Sequence, residues 1–347
     1  MTINMYLIYF GIFIGSFLLS LCLTPFFRSL AIRLGILDRP QADGLKNQTK
    51  PVPYLGGLAI YFSFIIVILF VILFLSIEFT PDIVSIIIGG TIICLLGFVD
   101  DIYKLKPLTK FTFQFIAAFV LIYFDLRLKI YFLPKYINIL LTIFWVVGIT
   151  NAFNLIDIMD GLSGGVAFIA VMTFLFVALP SNQIFIIVFS CALGGTIIGF
   201  LPYNFKPASI YMGDAGSQFL GFVLSAIAIG ESYTAVNNIA LLSPMLILGI
   251  PIYDTILVLI LRLRQKKNPF MGSPDHFALR LETLGIDRQF VVIIIYLLAV
   301  ILGQASYIAT QVNLYGAIFI YCLIILMGVI LGWKLGKIKT GFPLSRE

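Results

Sequence analysis

The sequence predicts an all-α polytopic integral membrane protein with about eleven transmembrane helices, its N-terminus outside and its C-terminus in the cytoplasm. Of the 347 residues, 61% are hydrophobic and 11% are charged, and the mean hydropathy is +1.10. Soluble domains carry about 25% charged residues, so this chain has more apolar sequence than a soluble core can bury. The apolar residues also form runs of bilayer length, and the basic residues are concentrated in alternate loops.

Eleven apolar segments account for most of the chain, since a bilayer core requires about 20 residues of helix. Several segments are short or interrupted by Gly and Pro, and the eighth has the weakest signal. No internal repeat or second domain is evident, so we predict a single transmembrane domain over residues 1–347. The segments lie near 4–27, 54–76, 83–99, 109–124, 137–155, 162–179, 183–201, 217–232, 239–261, 289–309 and 313–333.

The distribution of Lys and Arg predicts the orientation, because basic loops mark the cytoplasmic side. On alternate loops, 19 of the 22 bases fall on one side and three on the other. An odd number of spans places the two termini on opposite sides, in agreement with this count. The loops expected on the cytoplasmic side lie near 28–53, 100–110, 156–162, 202–217 and 262–288.

Composition also excludes several classes of function. The single His rules out a multi-His metal centre. No basic soluble face is available for nucleic acid. The four cysteines lie in apolar runs without a CxxC pair, which is typical of small hydrophobic residues and not of a disulfide framework; they are Cys22, Cys94, Cys191 and Cys322.

An acidic pair ends the third segment and meets a basic loop. Asp100 and Asp101 are adjacent, and Lys104 and Lys106 follow them. Adjacent carboxylates repel unless a cation compensates, so the pair is either catalytic or an interfacial pair balanced by the two lysines. On a helix their side chains diverge by about 100°. We therefore expect the two carboxylates to face different partners.

A second cluster precedes the sixth segment. Asn154, Asp157 and Asp160 are spaced three residues apart, which on a helical turn predicts a shared face. An amide and two carboxylates on one face can hold a cation or a polar ligand. The structural alternative is a cap for the sixth helix, with Asp160 near its start.

A third cluster precedes the eighth segment. Asp214 is flanked by glycines in the segment Tyr211–Ser217, and Asn204 lies upstream in the same loop. A Gly-rich turn lets backbone N–H groups approach phosphate, and the Asp can ligate Mg²⁺. Gly-Asp also occurs in ordinary turns, so this motif is weak on its own.

The fourth cluster is a long basic loop after the ninth segment, where His276 is accompanied by Arg264, Lys266, Lys267 and Arg280. Basic groups suit an anionic substrate, although a solvated loop facing the membrane is the alternative. All four clusters fall on the predicted cytoplasmic face. Carboxylates, basic groups and Gly-rich turns on one face suit Mg²⁺-assisted chemistry on phosphates. A transporter would place its polar groups near the middle of the bilayer, where Asp254 is the main charged residue here.

The order of these motifs resembles the polyprenyl-phosphate N-acetylhexosamine-1-phosphate transferase family, of glycosyltransferase 4 type. This family includes phospho-MurNAc-pentapeptide transferases and undecaprenyl-phosphate GlcNAc-1-phosphate transferases. The resemblance covers almost the whole chain, through Asp38-Arg39-Pro40, Lys46, Lys50-Pro51-Val52-Pro53, Gly56-Gly57, Asp100-Asp101, Asn151 to Gly161, Asn204 to Ser217, Pro251 with Asp254, and Asp275-His276.

The resemblance implies a reaction and a place for it. A sugar-1-phosphate passes from a UDP-N-acetylhexosamine to undecaprenyl or another polyprenyl phosphate, releasing UMP and initiating a cell-envelope glycan. The cofactor implied is Mg²⁺, with Mn²⁺ as an alternative ion. The protein would be a multi-pass protein of a bacterial plasma membrane with a cytoplasmic active site, and a homodimer is left open.

The resemblance also implies roles for residues. Asp214 corresponds to the Mg²⁺ ligand, and Asp100 and Asp101 to the catalytic pair, joined by His276. The implied substrate-binding residues are Lys46, Lys50, Asn154, Asp157, Asp160, Asn204, Tyr211 and Arg280: Asp160 for uracil, Tyr211 for stacking on the base, Lys50 or Lys46 for phosphate. Because the lipid phosphate is already nucleophilic, we favour direct in-line displacement over a covalent Asp intermediate.

Four positions depart from the family pattern and keep other functions open. Ile158 replaces the usual Gly, Gln48 replaces a His, and Ala278 and Leu279 replace further histidines of the basic loop. The loop is where the family selects the sugar, so the sugar remains undetermined. A polytopic carrier and an inactive protein with the transferase fold are the alternative functions.

Overall fold

The computed structural model describes residues 3–39, 51–75, 80–230, 241–266 and 274–338. In these ranges the chain is mainly helical, and eight helices are long and apolar enough to cross a membrane. The protein is therefore a polytopic membrane protein, as its composition predicts. The described residues fall into two compact units, the first within 1–40 and 48–231 and the second within 41–47 and 232–347.

The first unit contains eight helices and a two-stranded sheet among its described residues. The strands are antiparallel, with Leu37 opposite Pro53 and Asp38 opposite Val52. The elements are α1 (Ile3–Leu34), β1 (Leu37–Asp38), β2 (Val52–Pro53), α2 (Gly56–Phe74), α3 (Pro81–Tyr103), α4 (Pro107–Tyr123), α5 (Lys135–Ile156), α6 (Leu162–Ala178), α7 (Ile184–Asn204) and α8 (Gly213–Gly230).

The core of the first unit is built around α8. Helices α2, α3 and α5 pack against it, and every residue of α8 from Ala215 to Ala228 is buried. Asp214 lies in the first turn of this helix. The surrounding helices therefore fix the position of the N-terminus of α8, where the third predicted cluster lies.

The second unit contains α9 (Ser243–Ile247), α10 (Gly249–Arg264), α11 (Phe277–Glu282), α12 (Arg288–Gln311) and α13 (Leu314–Gly336). Helix α11 is a short helix within the basic loop that the sequence did not predict. The two units are defined by their packing and not by their function. The single transmembrane domain over residues 1–347 therefore stays a prediction.

The described part of each of the eleven predicted segments is helical, with one interruption. The ninth segment is divided at Leu248 into α9 and α10. Pro251 follows the break and has no N–H to donate to the carbonyl of Ile247, four residues earlier. Helices α4 and α6 are apolar but shorter than the eight candidate spans. The number of eleven spans and their orientation therefore stay predictions.

Candidate functional site

The structure places eight of the predicted site residues in the first unit and two in the second. Those of the first unit are Asp100, Asp101, Asn154, Asp157, Asp160, Asn204, Tyr211 and Asp214; those of the second are His276 and Arg280. Lys46 and Lys50, together with Gln48, lie outside the described residues.

Asp101 joins the end of α3 to the beginning of α8. Its Oδ1 accepts a hydrogen bond from the backbone N–H of Asp214 (2.7 Å), and its Oδ2 accepts one from the N–H of Ala215 (3.2 Å). The first N–H groups of a helix have no partner within the helix, and the helix dipole favours negative charge at this end. Asp101 therefore caps α8 from another helix and fixes the backbone of Asp214.

Two glycines make this close approach sterically allowed. A Cβ atom at Gly97 would overlap the backbone of Ala215, so α3 and α8 can only touch here without a side chain. Gly213 has φ +69, and a Cβ there would lie 2.5 Å from Oδ2 of Asp101. The Gly-Asp sequence thus serves to bring the acidic pair of α3 against the first turn of α8.

Asp100 points to a different set of partners, as the divergence of adjacent helical side chains predicts. Its Oδ1 accepts a hydrogen bond from the N–H of Leu105 (2.6 Å). Its Oδ2 forms an ion pair with the ammonium group of Lys110, and the same ammonium group donates to Oδ2 of Asp214 (2.7 Å). One lysine therefore connects carboxylates from α3 and α8 and offsets their mutual repulsion.

Lys110 is a site residue that the sequence reading did not single out. The expected partners of the acidic pair were Lys104 and Lys106, but the observed partner lies in the first turn of the next helix. The available signal was a lysine followed by thirteen residues without a charge, Phe111 to Tyr123. A charge at the edge of so apolar a helix is costly and requires a partner.

The predicted shared helical face of Asn154, Asp157 and Asp160 is wrong. Helix α5 ends at Ile156, and Asp157 has φ −78 and ψ 54, outside the helical range. Turns follow until α6 begins at Leu162, after Gly161, which has φ +77. Asn154, still on α5, donates from Nδ2 to Oγ of Ser217 on α8 (3.1 Å). Of the three residues, only Asn154 therefore lies on helix α5.

Asp157 lies in a negative electrostatic environment. Burial, together with the negative charges of Asp214 and Asp160, raises the pKa of its carboxyl group to about 8. A group with this pKa carries a proton at neutral pH. A cation placed near Asp214 would relieve the same repulsion and favour the ionised form of Asp157.

Asp160 and Asn204 hold two loops together. Asp160 accepts a hydrogen bond at Oδ2 from the N–H of Ala208 (3.0 Å). The side chain of Asn204 accepts from the N–H of Gly161 (3.1 Å) and donates to the carbonyl of Ile210 (3.0 Å). These bonds connect the turn before α6 to the segment before α8, so both residues have a structural role whatever their role in binding.

Tyr211 sits between the strand pair and α8. Its N–H donates to the carbonyl of Pro53 (2.8 Å), and its carbonyl accepts from the N–H of Gly56 (3.0 Å). Its ring centroid lies 5.9 Å from that of Tyr54, at an interplanar angle of 57°. The motif that contains Pro53 and Gly56 therefore fixes the backbone of Tyr211 at the start of the Gly-Asp turn.

In the second unit, His276 is paired with Asp254, the acid that the sequence singled out within an apolar segment. Nδ1 of His276 lies 2.7 Å from Oδ2 of Asp254, and Oδ1 of Asp254 accepts from the N–H of Phe277 (2.6 Å). His276 and Asp254 are 4% and 3% exposed. A carboxylate on Nδ1 fixes the ring orientation and directs Nε2 to the opposite side of the ring.

Arg280 is almost fully buried, with 1% exposure. Its guanidinium donates to Oδ1 of Asp275 (2.5 Å) and to the carbonyls of Leu335 and Ile338 (both 2.8 Å). It therefore binds the end of α13 and satisfies carbonyls that a helix terminus leaves without partners. Its role as a contact for diphosphate or sugar stays a prediction.

The described residues contain no group of three or more His, Cys, Asp or Glu side chains arranged to hold a metal ion. This does not exclude Mg²⁺ chemistry, because proteins often hold Mg²⁺ through one or two carboxylates together with substrate phosphates. Asp214 suits that mode, since its negative charge helps to raise the pKa of a second carboxyl group, that of Asp157, and a nearby cation would relieve this repulsion.

Comparison with known proteins identifies related sequences along most of the chain. Residues 83–231 match the model of glycosyl transferase family 4. This range runs from α3 through α8 and so contains both halves of the acidic site. The region beyond it is covered by individual relatives.

Three relatives illustrate the match. The chain is 33% identical over 338 residues to the probable undecaprenyl-phosphate N-acetylglucosaminyl 1-phosphate transferase of Bacillus subtilis, covering 95% of this chain and 93% of the relative. It is 32% identical over 307 residues to the decaprenyl-phosphate N-acetylglucosaminephosphotransferase of Mycolicibacterium smegmatis, covering 79% and 75%. It is 33% identical over 288 residues to the phospho-N-acetylmuramoyl-pentapeptide-transferase of Halalkalibacterium halodurans, covering 75% and 85%.

These matches confirm the resemblance found in the order of the sequence motifs. The relatives extend over nearly the full length of the chain, and the family model covers the helices that carry the acidic residues. The chain therefore belongs to glycosyl transferase family 4, as a membrane-embedded transferase.

Proposed function

We propose that the protein transfers an N-acetylhexosamine 1-phosphate from a UDP-sugar to a polyprenyl phosphate and releases UMP, as the first step of a bacterial cell-envelope glycan. One observation carries the proposal: Lys110 connects the carboxylates of Asp100 and Asp214. Opposite charges gathered at the ends of three helices form a place where two anionic phosphates can be brought together. The names of the relatives supply the polyprenyl phosphate and the N-acetylglucosamine phosphate, and the UDP-sugar donor is what the resemblance of the motifs implies.

The donor end of the site is assigned to Asp214 and its surroundings. Mg²⁺, which Asp214 would hold, would supply positive charge to the diphosphate and offset the repulsion against an anionic attacking group. Lys110 contributes a second positive charge beside the same carboxylate. We assign uracil recognition to Asp160 and Tyr211, which the loops before α6 and α8 hold in place.

The acceptor end is assigned to Asp100. An oxygen of the lipid phosphate forms a bond to the β-phosphorus of the UDP-sugar, and the bond from that phosphorus to the bridging oxygen breaks. UMP leaves with that oxygen, so no covalent enzyme intermediate is required. The second pKa of a phosphate is near 6, so Asp100 needs to accept at most one proton from the lipid phosphate.

The two roles of the acidic pair differ in kind. Asp101 is a positioning residue, because both of its oxygens accept hydrogen bonds from the first turn of α8. We assign Asp100 to the substrate, because its partner Lys110 is a cation that could also bind a phosphate. For His276, which Asp254 orients, the resemblance implies a role in binding or activating a diphosphate.

The expected topology places this site on the cytoplasmic face of the plasma membrane. With the N-terminus outside and eleven spans, the ends of α3 and α5 and the start of α8 face the cytoplasm, where UDP-sugars are made. A reporter fused after Glu347 should then be cytoplasmic. A reporter that is active only outside the cytoplasm would contradict both the orientation and the location of the site.

Product analysis tests the proposal directly. Purified protein is incubated with undecaprenyl phosphate, Mg²⁺ and a panel of UDP-N-acetylhexosamines, and the lipid fraction is examined by mass spectrometry. A lipid gaining one sugar and one phosphate, with one UMP per product, is expected. The Asp214→Asn variant, folded to the same extent, should lose activity by orders of magnitude, since it loses the charge that binds Mg²⁺.

Two outcomes would point to the alternative functions. A folded wild-type protein that forms no lipid product with any UDP-sugar would indicate an inactive transferase fold or a carrier. Transport of a polyprenyl-linked compound across proteoliposomes, without UMP formation, would favour the carrier. Full activity of Asp214→Asn at low Mg²⁺ would reject the assignment of the metal ligand alone.

A further inference from the structure

Three amide side chains meet in the interior of the first unit, one helical turn below the acidic site. Gln114 on α4 and Gln218 on α8 are 1% and 0% exposed, and Asn151 comes from α5. We refer to Gln114, Asn151 and Gln218 as the amide cluster. Burying an amide without hydrogen bonds costs several kcal/mol, so their presence among apolar helices needs a reason.

The amide cluster is closed by hydrogen bonds from three helices. Gln114 and Asn151 form a reciprocal pair: Nδ2 of Asn151 donates to Oε1 of Gln114 (2.7 Å), and Nε2 of Gln114 donates to Oδ1 of Asn151 (3.3 Å). Nε2 of Gln114 also donates to Oε1 of Gln218 (3.0 Å). Each amide therefore finds both a donor and an acceptor, and the relative rotation of α4, α5 and α8 is fixed.

The amide cluster also reaches the acidic site. Nε2 of Gln218 donates to Oδ2 of Asp214 (3.4 Å), the oxygen that also accepts from Lys110. The hydrogen bonds are thus donated in one direction: Gln114 donates to Gln218, and Gln218 donates to the carboxylate of Asp214. Hydrogen bonds of one polarity reinforce one another in a low dielectric, and this direction favours the ionised carboxylate.

The spacing along the helices shows why these positions are linked. Gln114 is four residues after Lys110 on α4, and Gln218 is four residues after Asp214 on α8. Residues four apart lie on the same face of a helix. The contact between Lys110 and Asp214 is thus repeated one turn deeper by the contact between Gln114 and Gln218, so α4 and α8 are joined at two successive levels.

We propose that the amide cluster positions Asp214 and Lys110 for metal and phosphate binding, so that Gln114 and Gln218 are positioning residues of the transferase site. This inference rests on the proposed function, in which Asp214 holds Mg²⁺. Partners of a metal ligand commonly change metal affinity or activity by about 10–100-fold when they are removed. Loss of the chain of donors should therefore weaken metal binding as well as turnover.

Metal binding without substrate tests the inference independently of activity. Purified full-length protein is titrated with Mn²⁺, followed by electron paramagnetic resonance, for the wild type, Gln218→Met and Gln114→Met. Met keeps the size of Gln but donates no hydrogen bond. The Mn²⁺ concentration at half saturation should rise by about 10-fold or more in Gln218→Met, and kcat should fall more than KM for the UDP-sugar rises.

Ser225→Ala provides a matched control on the same helix. Ser225 is fully buried on α8, and its hydroxyl donates to the carbonyl of Phe222 on the same helix (2.7 Å). It lies eleven residues beyond Asp214, which is about 16 Å along a helix. This control should lower the melting temperature without changing Mn²⁺ affinity. Gln114 does not contact Asp214 directly. The Gln114→Met variant therefore tests whether the amide cluster affects Mn²⁺ affinity if Gln218→Met does not fold.

The outcomes separate this inference from the proposed function. If the wild type binds Mn²⁺ and transfers sugar phosphate, but both Met variants bind Mn²⁺ as Ser225→Ala does, the amide cluster is only structural. If the two Met changes together weaken Mn²⁺ binding no more than Gln218→Met alone, they act through one chain, as we infer. A wild type that neither binds Mn²⁺ nor forms product would instead overturn the proposed function.

Discussion

Replacing Asp101 by Asn removes a charge from the N-terminus of α8 while keeping the shape of the side chain. In the native protein, both carboxylate oxygens accept backbone N–H groups, from Asp214 at 2.7 Å and from Ala215 at 3.2 Å. Asn has a single oxygen, so one bond persists. The amide NH₂ group faces the other N–H, and two donors then point at each other.

The cost can be estimated from these two bonds. A hydrogen bond to a charged group contributes about 1.5–3 kcal/mol, and one between neutral groups contributes about 0.5–1.5 kcal/mol. Loss of one bond and weakening of the other should destabilise the protein by about 2.5–4.5 kcal/mol, which exceeds the usual cost of about 0.5–2 kcal/mol for loss of a helix cap. A change of this size lowers the melting temperature by roughly 5–18 °C in a unit of about 200 residues.

Thermal unfolding in detergent and Mg²⁺ titration of activity measure the two effects. Asp101→Asn should melt earlier and should need more Mg²⁺ for half-maximal rate, because the backbone of Asp214 is no longer fixed. Asn313→Ala is a matched control, since the Asn313 side chain caps α13 through the N–H of Gly316 (3.0 Å). It should cost about 1 kcal/mol and leave the Mg²⁺ requirement unchanged. A normal melting temperature with abolished activity in Asp101→Asn would refute the capping role.

Three further predictions address other acids. Asp100→Asn should lose most activity at neutral pH and recover part of it as the pH rises and the lipid phosphate ionises unaided; a pH–rate curve parallel to that of Asp101→Asn would reject this. Asp254→Asn should reduce kcat as much as His276→Ala, because the ring orientation is lost; additive losses in the double variant would disprove the pairing. Because burial and the negative charges of Asp214 and Asp160 raise the pKa of Asp157 to about 8, its protonated form stabilises the fold. Without metal, this stabilising contribution is complete below about pH 4 and is lost as the pH rises to about 8. Between about pH 4 and about pH 8, the melting temperature should therefore fall less in Asp157→Asn than in the wild type.

The positions of the helices could be predicted because membrane segments depend on local sequence. A bilayer demands a run of about 20 apolar residues, and such runs are visible without knowledge of tertiary contacts. The ninth segment shows the limit of this reasoning. Apart from Asp254 its composition is mainly apolar, but Pro251 removes one backbone hydrogen bond, and the helix is divided at Leu248.

The residues of the acidic site could be predicted by type, but their partners could not. Asp100, Asp101 and Asp214 were recognised as clustered charges next to apolar segments. The lysine that connects them, Lys110, belongs to another helix, and only packing of α3, α4 and α8 brings it to the carboxylates. Local spacing suggested Lys104, which is exposed in the structure.

The turn after α5 shows how periodicity can mislead. A spacing of three residues suggested one helical face for Asn154, Asp157 and Asp160, but the helix ends after Ile156. The competing signal was Gly161, whose left-handed conformation starts α6 anew. In the second unit, by contrast, the sequence singled out Asp254 as an unusual acid within an apolar segment, and the structure supplies its reason in the contact with His276.

Release of UMP with and without the acceptor lipid tests the central claim most directly. Protein at a concentration similar to that of the UDP-sugar is mixed rapidly with Mg²⁺, and UMP is measured over the first turnover. Our account predicts UMP only when polyprenyl phosphate is present, in equal amounts with the lipid product, because the lipid phosphate itself displaces UMP. One equivalent of UMP without lipid would contradict direct displacement, and no UMP in the presence of lipid from a folded protein, with any UDP-sugar of the panel, would contradict the proposed transfer itself.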